Sequence, residues 1–271
     1  MTDAILSEKG SSGQQGVLGY ARRGQVKRLK RSLKRRLNNR LPKSPGIRYP
    51  FRFKGFQSLL HFIYRRKIRR HKTFSVLGKT YHYFDTYKTW LGERAVEIPL
   101  VMEMVRNYGG KNILEIGNVL AHHVQFEHDV LDKYERSKGV INKDVVDFKS
   151  EKKYDLIVSI STLEHVGWDE WEGMPRDDMK IPQAIENLKT LITPQGGTII
   201  ITLPLGQNSA LDKLLKEGAI RFSKQFYLKR ISKGNEWKEA SWEDVKDSKY
   251  QTPFPFANGL LVGIIMLKPN V

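Results

Sequence analysis

Residues 154–168 read Tyr-Asp-Leu-Ile-Val-Ser-Ile-Ser-Thr-Leu-Glu-His-Val-Gly-Trp, and this run constrains the fold more than any other stretch. An apolar strand at 156–160 is introduced by Tyr154-Asp155 and closes on serines, and Leu163-Glu164-His165-Val166 follows at once. A second short strand, Ile-Leu-Glu-Ile-Gly, stands at 113–117. Further strands are expected at 128–131, 139–142, 197–203, 226–231 and 260–267. Helical segments separate several of them, notably 93–108, where Ala95, Ile98, Val101, Met102 and Val105 share one side, and 181–192. Short apolar strands alternating with helices imply an α/β fold with a mostly parallel sheet covered on both faces. No internal repeat is visible.

Charge divides the chain. Residues 1–80 hold 22 Lys/Arg against two acids, Asp3 and Glu8, whereas 81–271 hold 25 against 27. A near-neutral domain therefore follows a strongly basic arm, and such asymmetry calls for an anionic partner. Three segments are expected: a disordered tail at 1–19, a basic, aromatic-containing helical extension at 20–79, and the α/β domain at 80–271. Within the extension, Val26, Leu29, Leu33 and Leu37 form a narrow apolar stripe in a cationic helix over 21–40. A second basic amphipathic helix is expected at 59–70. Phe51, Phe53, Phe56, Leu59, Leu60, Phe62, Ile63 and Ile68 are more apolar than phosphate contact requires, which favours an anionic membrane surface as partner of residues 20–75. Bases interleaved with aromatics also suit nucleic acid, and a solvated extension is the plainest alternative. The absence of cysteine excludes disulfides and thiolate metal sites. No apolar run reaches the roughly 18–20 residues needed to cross a bilayer. The expected location is cytoplasmic, peripheral to a membrane through the arm.

In open α/β sheets, ligands sit beyond the carboxyl ends of the strands. Three such loops carry polar residues in order: Glu115, Gly117 and Asn118 after the first strand, Asp132 after the second, and Asn142-Lys143-Asp144-Val145 after the third. Plainer roles exist for each: Glu115 as a cap at a strand end, and Asp132 and Asp144 as ordinary loop acids. His165 is a candidate general base or a structural residue. His122 and His123 have no partner acids at a metal spacing, so no metal site is expected. Trp168 and Trp171 are candidates for stacking on a substrate ring or sugar, or for packing in the core or a lid. The segment 80–94, with Tyr81, Tyr83, Tyr87, Trp90 and Arg94, precedes the first strand and supplies hydroxyls and an anion-binding arginine, or simply packs on the sheet.

Asp144-Val-Val-Asp-Phe148, then Asp155-Leu-Ile-Val-Ser159, Leu163-Glu-His-Val166, a helix, Pro194-Gln-Gly-Gly197 and a strand ending near Pro204 follow one another in an order that resembles class I S-adenosylmethionine-dependent methyltransferases. The likeness is to the subgroup with quinone-biosynthesis and small-molecule O-methyltransferases, and it covers about 93–267. It implies a Rossmann-like sheet of seven strands with an antiparallel final strand, and S-adenosylmethionine as cofactor. By position it implies Asp132 for the ribose, Asp144 with Val145 for adenine, and Ser159 in the cleft with Glu115, Gly117 and Asn118. Tyr87, Arg94 and Trp168 are then substrate-side residues and His165 the catalytic one. The implied reaction is O-methylation of a small-molecule or glycan-like acceptor. Upstream, the family's Gly-x-Gly-x-Gly is represented by Gly117-Asn-Val-Leu-Ala121, which keeps only the first glycine. That departure motivates the rival reading: an inactive, methyltransferase-like scaffold acting through its basic arm.

Overall fold

A computed structural model describes residues 71–85, 89–125, 127–168 and 176–269. The tail expected at 1–19, the helices expected at 21–40 and 59–70, Tyr87 and Trp171 lie outside the described residues.

A hairpin, β1 (Thr73–Val76) and β2 (Lys79–His82), comes first, and helix α1 (Arg94–Arg106) follows it. Eight further strands build one sheet: β3 (Ile113–Ile116), β4 (Asp129–Leu131), β5 (Val140–Ile141), β6 (Leu156–Ile160), β7 (Gly197–Pro204), β8 (Lys224–Arg230), β9 (Trp237–Ala240) and β10 (Gly259–Leu267). Helices α2 (Lys180–Thr190) and α3 (Ser209–Lys216) lie in the connections on either side of β7, and a single turn, α4 (Trp242–Val245), follows β9. The sheet order is β5-β4-β3-β6-β7-β10-β8-β9. The five strands from β5 to β7 are parallel, and β10 runs antiparallel to both its neighbours, β7 and β8.

Seven of these eight strands stand where the sequence reading puts them. The expected count of seven is corrected by β9, antiparallel to β8 at the edge. Its Lys238 and Glu239 are exposed and only Trp237 is buried, the charged pattern that keeps an edge strand from recruiting another chain.

Alternation within the strands separates two apolar layers. Leu114, Ile157, Ile199 and Ile201 pack on one side with Ile181, Ala184, Ile185 and Leu188 of α2. Ile113, Leu156, Val158, Ile160 and Ile200 pack on the other with Ile98, Val101 and Val105 of α1. A third cluster joins Phe74 and Val76 of the hairpin to Phe226, Leu228, Trp237, Leu260 and Val262. Two residues of the segment read as basic extension thus belong to a core.

Helix α1 contains Pro99, which can neither donate a hydrogen bond to the carbonyl of Ala95 nor leave it room for the usual geometry. That carbonyl instead accepts the amide of Phe84 at 2.8 Å, which fastens the segment after the hairpin to the helix.

The connection from β3 to β4 is short. The described residues of 117–128 hold one 3-10 turn, Leu120–His122, where an ordinary parallel crossover carries a helix. A cavity of about 880 Å³ lies here, lined by Ile113, Val130 and Val140 together with Arg106, Lys111, Lys138 and Lys152. Among the described residues no helix is long and apolar enough to cross a membrane.

Candidate functional site

A cavity of about 420 Å³ opens at the carboxyl ends of β3, β4, β5 and β6. Four loops make its walls. In the first, Gly117 has φ +79°, and a Cβ there would lie 2.3 Å from Oγ1 of Thr162. Only glycine lets this loop pass the turn that follows β6. The amides of Val119 and Leu120 then donate to Oε1 of Glu115 at 2.8 and 2.5 Å, while Oε2 meets Nε2 of His128 at 2.8 Å. Glu115 is fully buried and off the cavity wall, so the structure places it as the cap of the loop rather than as a wall residue. A carboxylate holding two amides gives the loop order that later glycines do not supply here. Asn118 does line the cavity. Its Nδ2 donates to Oε1 of Glu135 at 2.7 Å, and its Oδ1 is buried without a partner.

The second loop turns on Asp132, whose Oδ1 accepts the amides of Tyr134 and Glu135, both at 2.8 Å. Asn142 ties this turn to the third loop by donating to the carbonyls of Asp132 and Glu135. In the third, Oδ1 of Asp144 accepts the amide of Val146 at 3.1 Å, and Oδ2 faces Nζ of Lys133 at 3.4 Å and of Lys180 at 3.9 Å. Asn187 of α2 donates to the carbonyls of Val145 and Phe148, both at 2.8 Å, and so anchors that loop to the helix.

The fourth wall follows β6: Ser161, Thr162, His165, Gly167 and Trp168. Ser161 has φ +39°, in the left-handed region disfavoured for a residue with a side chain. Its amide donates to the carbonyl of Thr202 at 3.1 Å, and its hydroxyl to Oε1 of Glu97 at 2.5 Å. Trp168 carries the Arg176 guanidinium 3.7 Å above its ring, and its buried Nε1 has no partner.

Seven expected residues therefore meet around one cavity: Gly117, Asn118, Asp132, Asp144, Val145, His165 and Trp168. Ser159 does not. It sits inside β6, fully buried, its Oγ without a partner, and Ser161 two positions later forms the wall instead. Arg94 is also off the wall. Its Nη1 pairs with Oε2 of Glu97 at 2.8 Å and its Nη2 donates to the carbonyl of Ser161 at 3.4 Å. Tyr87 falls outside the described residues. Sequence reasoning missed Glu135, Ser161, Thr162 and the acids behind them. The signal for Ser161 was there: with Thr162 it forms the polar pair between the apolar strand and the motif turn.

Those acids are Glu93, Glu97 and Glu164, all buried. Burial first, then Glu97, pushes the Glu93 carboxyl up, while the amide of Ala257 donates to it at 3.2 Å. Oε1 of Glu97 accepts the hydroxyls of Ser161 and Thr202. Burial opposes the charge of Arg94, but Glu97, Glu164 and Glu93 outweigh it and raise its pKa. Glu164 is held by its backbone, whose carbonyl accepts Nδ2 of Asn208, the N-cap of α3, at 2.7 Å. Burial pushes its carboxyl well above the ordinary 4.5. His165 is lowered, by desolvation first and by Arg94 second, so the neutral imidazole is favoured. Burial, then Glu93 and Glu164, push the Tyr250 hydroxyl up to about 12.

No family model and no curated protein matches the chain. Among solved structures, it is similar to N-methyltransferase NodS from Bradyrhizobium japonicum WM9 in complex with S-adenosylhomocysteine, at 16% identity and TM-score 0.37 over 62% of this chain and 85% of that one. Sugar N-methyltransferase KedS8 from Streptoalloteichus aligns at 13% identity and TM-score 0.35 over 70% and 98%. Magnesium protoporphyrin IX methyltransferase from Synechocystis PCC 6803 with bound S-adenosylmethionine aligns at 11% and 0.32 over 68% and 86%.

Proposed function

We propose that the domain binds S-adenosylmethionine in the cavity at the ends of β3–β6 and transfers its methyl group to a small-molecule or glycan-like acceptor. The observation that carries this reading is the convergence of Asp132, Asp144, Asn118 and Trp168 on one cavity, the last two each carrying a buried polar atom without a partner, Asn118 Oδ1 and Trp168 Nε1. Buried polar atoms without partners are rare, and a ligand that brings one donor and one acceptor would complete both. A nucleoside offers hydroxyl donors suited to Asp132 and an exocyclic amine suited to Asp144 or Asn118. The missing Cβ of Gly117 lets its loop pass Thr162 on the opposite wall, and Glu115 supports the reading by ordering the loop without glycines.

When bound, the cofactor supplies an electrophilic methyl sulfonium. The protein's part is to hold the acceptor in line with it and to exclude water. His165 lines the cavity with its neutral form favoured, which suits it to receive the acceptor's proton. An oxygen acceptor is the expectation from family likeness alone.

Isothermal titration of the full chain with S-adenosylhomocysteine tests the reading. Saturable binding that is lost in Gly117→Ala is expected, and a folded protein that ignores millimolar ligand overturns it. In that event the scaffold reading takes its place. For the arm, we propose an anionic membrane surface as partner: removing residues 1–70 is expected to abolish sedimentation with anionic liposomes. Retained sedimentation, or binding confined to RNA, overturns that assignment.

A further inference from the structure

Every polar group of Ser161 is held from outside the cavity it lines. Its amide donates to the carbonyl of Thr202 at 3.1 Å and to the hydroxyl oxygen of the same residue at 3.2 Å. Its own hydroxyl donates to Oε1 of Glu97 at 2.5 Å, and its carbonyl accepts Nη2 of Arg94 at 3.4 Å. Arg94 closes the ring through Nη1, which pairs with Oε2 of Glu97 at 2.8 Å. The Thr202 hydroxyl also donates to Oε1 of Glu97, at 2.7 Å. Two hydroxyls and a guanidinium thus converge on one fully buried side chain, as an acceptor-only carboxylate permits. Seating α1 on the sheet does not need this ring, because Ile98, Val101 and Val105 already pack there. The strain at Ser161 does need it. A serine at φ +39° persists only where its surroundings over-determine the conformation. The next residue, Thr162, is the one that meets Gly117 across the cavity.

We propose that Glu97 and Arg94 are positioning residues: they hold Ser161 in its left-handed conformation and so set the gap between the loops that follow β3 and β6, where the ligand lies. Neither residue lines the cavity, and both act through Ser161. The inference rests on the methyl-transfer reading only for the identity of that ligand. The chemistry of the ring says how it breaks. Glu97→Gln brings an amide NH2 to a place where every neighbour is already a donor, so either the guanidinium or the two hydroxyls lose their acceptor. Arg94→Lys keeps the charge but replaces the fork, whose two nitrogens reach Glu97 and the Ser161 carbonyl separately, by one nitrogen. Ser161→Gly removes the Cβ that makes the conformation costly, so the backbone can adopt it with no holder.

The test uses the full chain with carbon-13 in its threonine methyl groups, and two readouts. Calorimetry with S-adenosylhomocysteine is expected to show binding at least about tenfold weaker in folded Glu97→Gln than in wild type. In a Ser161→Gly background the same change is expected to weaken binding less than about threefold, because the strain it releases is no longer there. Without ligand, the methyl resonance of Thr162, which has no bond to Glu97, is expected to move in Glu97→Gln and to move less in the glycine background. Wild-type affinity in folded Glu97→Gln overturns the assignment. So does an unmoved Thr162 resonance, or an equal loss in both backgrounds, which is what a general loosening of the fold would give. Should Glu97→Gln fail to fold, Arg94→Lys carries the same comparison with the same expectations. Should wild type itself ignore S-adenosylhomocysteine, the methyl-transfer reading falls, and the Thr162 resonance alone decides whether the pair positions the wall.

Discussion

The two sides of the cavity are built on opposite principles. On the β3–β5 side, apart from Asn118 Oδ1, the buried polar groups satisfy each other: Glu115 caps its loop, Asp132 caps its turn, Asn142 joins two loops and Asn187 anchors the third. On the β6–β7 side, Ser161 holds a left-handed backbone and Glu164 is buried with two idle oxygens. The first arrangement fixes a shape before any ligand arrives. The second leaves a buried carboxyl without a hydrogen-bond partner, which burial drives toward its protonated form. Satisfied and unsatisfied polar groups are thus divided between neighbouring loops of one sheet.

Breaking the self-satisfied side gives the largest effect. Glu115→Ala leaves His128 and two amides without their acceptor in the interior, and a loss of about 3–5 kcal/mol is expected, read as a lowered urea midpoint. Gly117→Ala forces a Cβ onto Thr162 at positive φ and should cost roughly 1–3 kcal/mol, together with S-adenosylhomocysteine binding. Pairing it with Thr162→Gly should return part of the stability. If the single variant is as stable as wild type, the close approach of the two loops is not real. Asn118→Ala removes one of the orphaned atoms, and an affinity loss of about tenfold in calorimetry is expected with the fold intact.

The smallest effect sharpens the other side through pH. An acid with a raised folded pKa contributes stability that is fully present below its unfolded value, ordinarily 4.5, and is lost as pH rises through the folded value. Wild type should therefore lose thermal stability relative to Glu164→Gln as pH climbs from 5 toward neutrality. Parallel melting curves across that range would show that Glu164 is not held protonated.

Much of this architecture can be read from the chain, and the misses have physical causes. Helix α1 was legible from its apolar spacing, and β6 from an unbroken apolar run. Edge strand β9 was hidden because exposed Lys238 and Glu239 look like loop, and hairpin β1–β2 because five of its eight strand residues are exposed. Asp132 and Asp144 were legible because strand order alone brings their loops together. Ser159 was mistaken for Ser161 because a positive φ turns a side chain in a way that strand alternation cannot announce. Glu97 and Glu164 were passed over for the same kind of reason. Nothing in a sequence tells a buried carboxylate from a solvated one until its neighbours are placed.

Two-residue β5, at the sheet's edge, and the helix-poor crossover into β4 carry a kinetic consequence. Elements with so few cross-strand bonds open at low free energy while the centre of the sheet stays closed. The amides of 129–145 should therefore exchange with solvent well before those of β6 and β7. Because Asp132 and Asp144 sit in this edge, a ligand held there must suppress its opening by mass action. Slowed deuterium uptake over these residues would report occupancy without any turnover.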